Sequence, residues 1–375
     1  MTDRPSRNAS IDHLRIVLTA LVILHHCAIV YGGSGGWYWR QEPDGSNRLL
    51  ILFNAVNQSY FMGFFFLLAG YYTPASYDRK GAGPFLADRL RRLGLPLLGY
   101  FFLVSPMTIA LARTGEGHPF WPGWWLMIKL KEFEPGPLWF AEALLIFALV
   151  YAAWRRWIRD SSRDLRVLPK FSTLALAAVA AGVVSFGVRL FVPVGTNVAW
   201  LQLGYFPPYV LLFVAGCMAA RARLLERVTF LEAKPWAIVS LVLLITLPVI
   251  MATHGSQGSF HGGWTLNAMF YALWDPFIAW GIILTLLWFF RIYGATANPL
   301  TAALAERAYG AYIVHPPMLV GLSLLARAWP FPPLLEFGIV GLAACAGSFA
   351  IASVLLVIPG LKRILCNRRD ARAGL

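Results

Sequence analysis

Charge is scarce in this chain, and acid is scarcer than base. Only 13% of its 375 residues are charged, about half the share found in an ordinary soluble domain. Acids number 18 against 32 Lys and Arg, for a net charge of +14. Cysteine is sparse too. Cys27, Cys217, Cys345 and Cys366 are scattered, and neither their spacing nor their placement suits a disulfide or zinc framework, so no metal site is expected. No internal repeat is visible, nor the paired, broken hydrophobic segments typical of a secondary transporter. No small-residue cleavage site follows the first apolar run, so an uncleaved first span is expected.

What the chain does have is apolar surface. It is 58% hydrophobic and 15% aromatic, with a mean hydropathy of +0.61. A soluble domain is about 45–50% apolar, so the expected fold class is an all-α, multi-pass integral membrane protein. Stretches near the roughly 20 residues needed to cross a bilayer fall at about 13–31, 49–72, 93–112, 138–154, 171–192, 205–220, 235–252, 267–290, 308–329 and 334–358. These ten spans form one domain over residues 1–375, with tails at 1–12 and 359–375.

Charge placement orients the spans, because short cytoplasmic loops accumulate Lys and Arg. With the N-terminus inside, only Arg40, Arg48, Arg113, Lys129, Lys131, Arg189 and Arg327 fall on the outer side. The other 25 basic residues, from Arg4 and Arg7 through the run Arg155, Arg156, Arg159, Arg163, Arg166 and Lys170 to Arg368, Arg369 and Arg372, fall inside. Both termini are therefore expected in the cytoplasm, in a cell (inner or plasma) membrane. The excess positive charge faces anionic lipid headgroups, so the high pI of about 9.9 needs no nucleic-acid partner.

Two residues of the first span carry the strongest functional signal. Arg15 and His26 in IDHLRIVLTALVILHHC stand eleven positions apart, or about three helical turns, which puts them on one face about 16 Å apart. A titratable imidazole at mid-membrane depth is costly unless it faces protein or water, which marks His26 as a candidate site. His25 points about 100° away around the helix. Two acids also sit at membrane depth. A carboxylate at Asp275 in ALWDPF or Glu142 in PLWFAEAL is placed to orient the imidazole or bind a substrate hydroxyl, or equally to pair with Arg189. Asn54, Asn57 and Gln58 form a polar stripe suited to hydrogen bonding between helices. The outer loops hold GGSGGWYW and HPFWPGWW, which read as interfacial aromatic belts or as parts of a substrate mouth.

The order of IDHLRIVLTALVILHH, FFFLLAGYY at 64–72, RLRRLGLPLL at 89–98, PLWFAEALLIF at 137–147 and AYGAYIVHPP at 308–317 resembles the membrane-bound acyltransferase-3 family over nearly the whole chain. Within that family the chain is similar to the branch of periplasmic glucan succinyltransferases. The resemblance implies ten spans and O-acyl transfer from cytoplasmic acyl-CoA, either acetyl-CoA or succinyl-CoA, to a hydroxyl of an extracytoplasmic carbohydrate or similar acceptor. His26 matches the family's proposed catalytic histidine, with Arg15 and Asp12 before it. Arg89, Arg92 and Pro96 match the Arg-x-x-Arg and proline of the third span, and Tyr312 and His315 match a Tyr-x-x-His. Ala69 replaces a common Ser, and His25 replaces an aromatic.

The chemistry suits these residue types. Transfer from a thioester to an alcohol needs a general base, and imidazole has the pKa nearest neutrality. Guanidinium groups pair with phosphate oxygens as planar forks, so Arg89 and Arg92, at the inner end of the third span, are expected to hold the CoA phosphates, helped by Arg15. His315 precedes Pro-Pro, and either stabilises that break or touches substrate alongside Tyr312. Rival classes are a multi-pass transporter and a haem-bearing electron carrier with His26 and His315 as axial ligands.

Overall fold

The computed structural model describes residues 8–158, 165–254, 257–296 and 298–365. Arg4, Arg7, Arg159, Arg163, Cys366, Arg368, Arg369 and Arg372 lie outside the described residues. Among those described there is no named strand, and nine helices are long and apolar enough to cross a membrane. These are α1 (Ala9–Val30), α2 (Arg48–Lys80), α3 (Ala82–Thr114), α5 (Gly136–Trp157), α6 (Phe171–Phe191), α8 (Phe230–His254), α9 (Leu266–Tyr293), α10 (Pro299–Ala326) and α11 (Pro333–Leu355). The shorter apolar helix α7 (Leu203–Ala219) takes the place of the sixth expected span. α4 (Phe120–Leu130) and α12 (Pro359–Leu365) complete the set.

Every expected span has a helix, but several helices outrun their apolar stretches. A hydropathy window stops at the first charge, whereas a helix continues until its backbone is capped. α1 starts at Ala9 because the Asn8 side chain accepts the Ile11 N–H at 3.3 Å, so residues 9–12 are helix rather than tail. Residues 359–365 of the other expected tail are likewise helical. This start shifts the site. His26 lies four residues before the end of α1 at Val30, about 6 Å from it by helix rise, and not at mid-span. The end where α1 begins is called proximal below, and the end where it finishes distal.

Close helix approach uses glycine where α2 meets α7. A methyl on Gly70 would lie 2.1 Å from the Phe213 carbonyl, and one on Gly216 would lie 2.1 Å from that of Leu67. Without a hydrophobic drive between helices in lipid, such backbone contact supplies the packing. The polar stripe of α2 does the same by hydrogen bond. Asn54 donates to the His25 carbonyl at 2.9 Å, Asn57 to that of Leu21 at 3.1 Å, and Gln58 to the Tyr209 hydroxyl at 2.9 Å.

Candidate functional site

Proline shapes the site before any catalytic group is considered. Pro316 in α10 lacks an N–H and so leaves the Tyr312 carbonyl, four residues back, without its helical partner. His315 supplies the replacement, with Nδ1 2.6 Å from that oxygen. A carbonyl can only accept, so Nδ1 carries the proton and Nε2 of the neutral ring presents a lone pair. That nitrogen meets His26 Nδ1 at 3.0 Å across near-parallel rings. His26 Nδ1 must therefore donate, which leaves His26 Nε2 as the free acceptor. One nitrogen of His315 thus repairs the helix break, as one of its two expected roles has it, and the other orients the first-span histidine.

Pro96 repeats the device in α3. Its missing N–H orphans the Arg92 carbonyl, and Tyr309 donates to that oxygen at 3.1 Å. Around the prolines α3 widens into two π turns, Leu90–Gly94 and Tyr100–Val104, each closed by an i→i−5 bond. π bulges recur at functional sites because they re-aim side chains. Here the second begins at Tyr100, whose hydroxyl lies 3.0 Å from that of Tyr38. Tyr312, between the two prolines' partners on α10, donates to the Pro137 carbonyl at the start of α5. Tyr309, Tyr312 and His315 are three residues apart and so share one face of α10. They form a ladder about 9 Å long that binds α3, α5 and α1 in turn.

The distal loop closes over the histidines. Trp37 stacks on His26 with ring centroids 4.1 Å apart and planes 17° apart, and also lies parallel to His315 at 5.8 Å. Tyr38 follows, and Glu134 lies within hydrogen-bonding reach of its hydroxyl. Burial raises the Glu134 carboxyl above the ordinary carboxylate range. Trp37, Tyr38, Tyr100 and Glu134 carry no individual signal in the sequence. The two aromatic loops also divide. GGSGGWYW turns inward, whereas HPFWPGWW forms α4, with Trp121 and Trp125 at 70% and 60% exposure, as an interfacial helix would place them.

The remaining candidates separate into distinct places. His25 stacks on Phe61 of α2 at 5.0 Å, away from His315. Arg92 Nε pairs with Asp88 at 3.0 Å, Lys80 joins the same carboxylate at 2.7 Å, and Arg89 lies over the Phe85 ring. Arg15 stands 3.7 Å from Asp12 at the proximal end, its side chain 41% exposed. Near that end a cavity of about 270 Å³ is lined by Asn8, Ser10, Arg223, Glu226 and Arg291. Asp275 is buried in an ion pair with Arg189 at 2.5 Å, between the Tyr205 and Tyr271 rings, and neither partner touches the histidines. Glu142 lies half-buried near the start of α5.

Among the described residues, no three His, Cys, Asp or Glu side chains are grouped to hold a metal ion. Nor does the histidine pair suit haem. Two axial bonds of about 2 Å would hold the nitrogens about 4 Å apart, and here they touch at 3.0 Å.

Residues 8–353 match the family described as an acyltransferase domain. Glucans biosynthesis protein C of Escherichia coli (strain K12) is 25% identical over 178 residues, 46% of this chain and 46% of its own length. The protein of the same name from Shigella dysenteriae serotype 1 (strain Sd197) gives the same figures. The chain thus spans just under half the length of these relatives. No solved structure gives a significant match.

Proposed function

The chain belongs to the acyltransferase-3 family, and from that premise we propose that His26 is the general base for moving an acyl group, acetyl or succinyl, from cytoplasmic acyl-CoA to a hydroxyl of an extracytoplasmic carbohydrate. The observation that carries this reading is the hydrogen-bond chain from the Tyr312 carbonyl through His315 to His26. It fixes the tautomer in which His26 Nε2 is unprotonated and able to accept. In the step itself the acceptor oxygen bonds to the thioester carbonyl carbon while its proton passes to Nε2. Collapse of the tetrahedral species expels the CoA thiolate, which takes the proton back from the imidazolium.

The donor side of this reading lies at the proximal end, set in the cytoplasm by the bias of Lys and Arg to that side. Arg89 and Arg92 are the proposed phosphate ligands, at the proximal foot of the ladder that runs from the Arg92 carbonyl to His26. A phosphate oxygen would compete with Asp88 for the Arg92 fork. The two relatives are named for glucan biosynthesis, which supports a carbohydrate acceptor here.

Mass spectrometry of surface glycans tests the whole reading, using cells lacking the gene and complemented with wild type or His26→Ala. The wild type should restore an acyl mass that the variant does not. Restoration by His26→Ala, or no glycan acyl mass that depends on the gene, would overturn it.

A further inference from the structure

An imidazole that takes up a proton away from water needs something to hold the new charge. In serine-hydrolase triads a buried carboxylate does this, and among the described residues none touches His26. From its own helix His26 meets His25, edge-on at 5.6 Å, while Asp12 and Arg15 lie at the other end of α1. From α10 it meets His315, with Tyr312 one turn further on. From α2, Asn54 and Asn57 reach only the α1 backbone. From α11, Glu336 acts on Tyr31, beyond the histidine. In the distal loop Arg40 pairs with Asp44, and Tyr38 turns its hydroxyl to Tyr100 and Glu134. What covers the imidazole is the face of Trp37.

That face is fixed by the loop and not by the indole edge. The Trp37 N–H is buried with no acceptor among the described residues, an arrangement that costs free energy. The backbone supplies the anchors, with Gly33 N–H to the Ala28 carbonyl at 2.7 Å, Gln41 and Glu42 N–H to that of Val30 at 2.9 and 3.0 Å, and Asn47 N–H to that of Gly32 at 3.0 Å. An indole face carries negative quadrupole charge and attracts a cation above it, most strongly where water is excluded. The ring lies parallel to both members of the histidine pair.

We propose that Trp37 is a positioning residue that stabilises the His26 imidazolium by cation–π attraction, in place of the missing carboxylate. The inference rests on His26 being the base. Trp37 exchanges no atom in the reaction, since the proton moves from acceptor hydroxyl to His26 and then to the departing thiolate.

The test places mono-, di- and trifluorotryptophan at position 37 of the full chain in proteoliposomes, because fluorine drains the ring face while keeping its shape. CoA release is followed from acetyl-CoA or succinyl-CoA with a glucan oligosaccharide present. Turnover should fall stepwise with each fluorine, by about tenfold in all, and the acid limb of the pH profile should move to lower pH as the imidazolium loses support. CoA affinity should hold. Trp37→Phe should fall between wild type and Trp37→Leu. A flat fluorinated series with a fixed acid limb overturns the role of Trp37 and leaves His26 standing. Full transfer by His26→Ala, assayed in parallel, overturns both.

Discussion

His315 satisfies a carbonyl with one ring nitrogen and aims a base with the other, so substitutions at this position separate the two tasks. Ala removes both, and transfer by His315→Ala should fall about tenfold to a hundredfold, less than the roughly 10²- to 10⁴-fold a general base itself contributes, with CoA affinity little changed. Gln keeps an acceptor oxygen for the His26 Nδ1 proton and should retain more activity than Ala. Equal turnover in wild type and His315→Ala would show that the pair is incidental. Spacing along one helix revealed His26, and a short motif drew attention to His315. Their contact joins positions 289 apart, which no local pattern encodes. Trp37 and Glu134 stayed hidden because a loop has no periodicity to expose which side chain turns inward.

Prolines place the polar groups of α3 and α10, and this is testable at the level of the element. Pro316→Ala restores an N–H that competes with His315 Nδ1 for the Tyr312 carbonyl. The helix should gain or hold thermal stability while turnover drops about tenfold, because a freed imidazole no longer fixes the His26 tautomer. A loss of stability without loss of turnover would refute the device. The RLRRLGLP segment of α3 marked Arg89, Arg92 and Pro96, but the π turns beside them are a tertiary outcome. Replacing both Arg89 and Arg92 by Ala should weaken acyl-CoA binding, with Lys rescuing only partly for want of a planar fork, and salt should weaken wild-type binding as well. If CoA affinity instead falls with Arg223 and Arg291 replaced, the donor mouth is the proximal cavity those residues line.

For the whole molecule, hydropathy alone located the helices, because membrane spans must satisfy their backbone internally and so leave continuous apolar signatures. It misjudged their ends and the place of His26 along α1, since caps such as Asn8 and the polar continuation of α2 to Lys80 are invisible to it. Which end faces the cytoplasm is carried by loop charge. Arg166→Cys, in the proximal loop before α6, should resist an impermeant reagent applied outside intact cells. Thr196→Cys, exposed in the distal loop after α6, should react. The reverse pattern would move the donor side to the opposite face.

The most direct test of His26 as the base compares His26→Ala with His25→Phe in proteoliposomes, following acyl transfer and CoA binding together. His26→Ala should abolish transfer, a loss of about 10²- to 10⁴-fold or more, while binding CoA as wild type does. His25→Phe should keep most activity, because that ring packs on Phe61 away from the pair. An active His26→Ala beside an inactive His25→Phe would contradict the account and move the base by one residue.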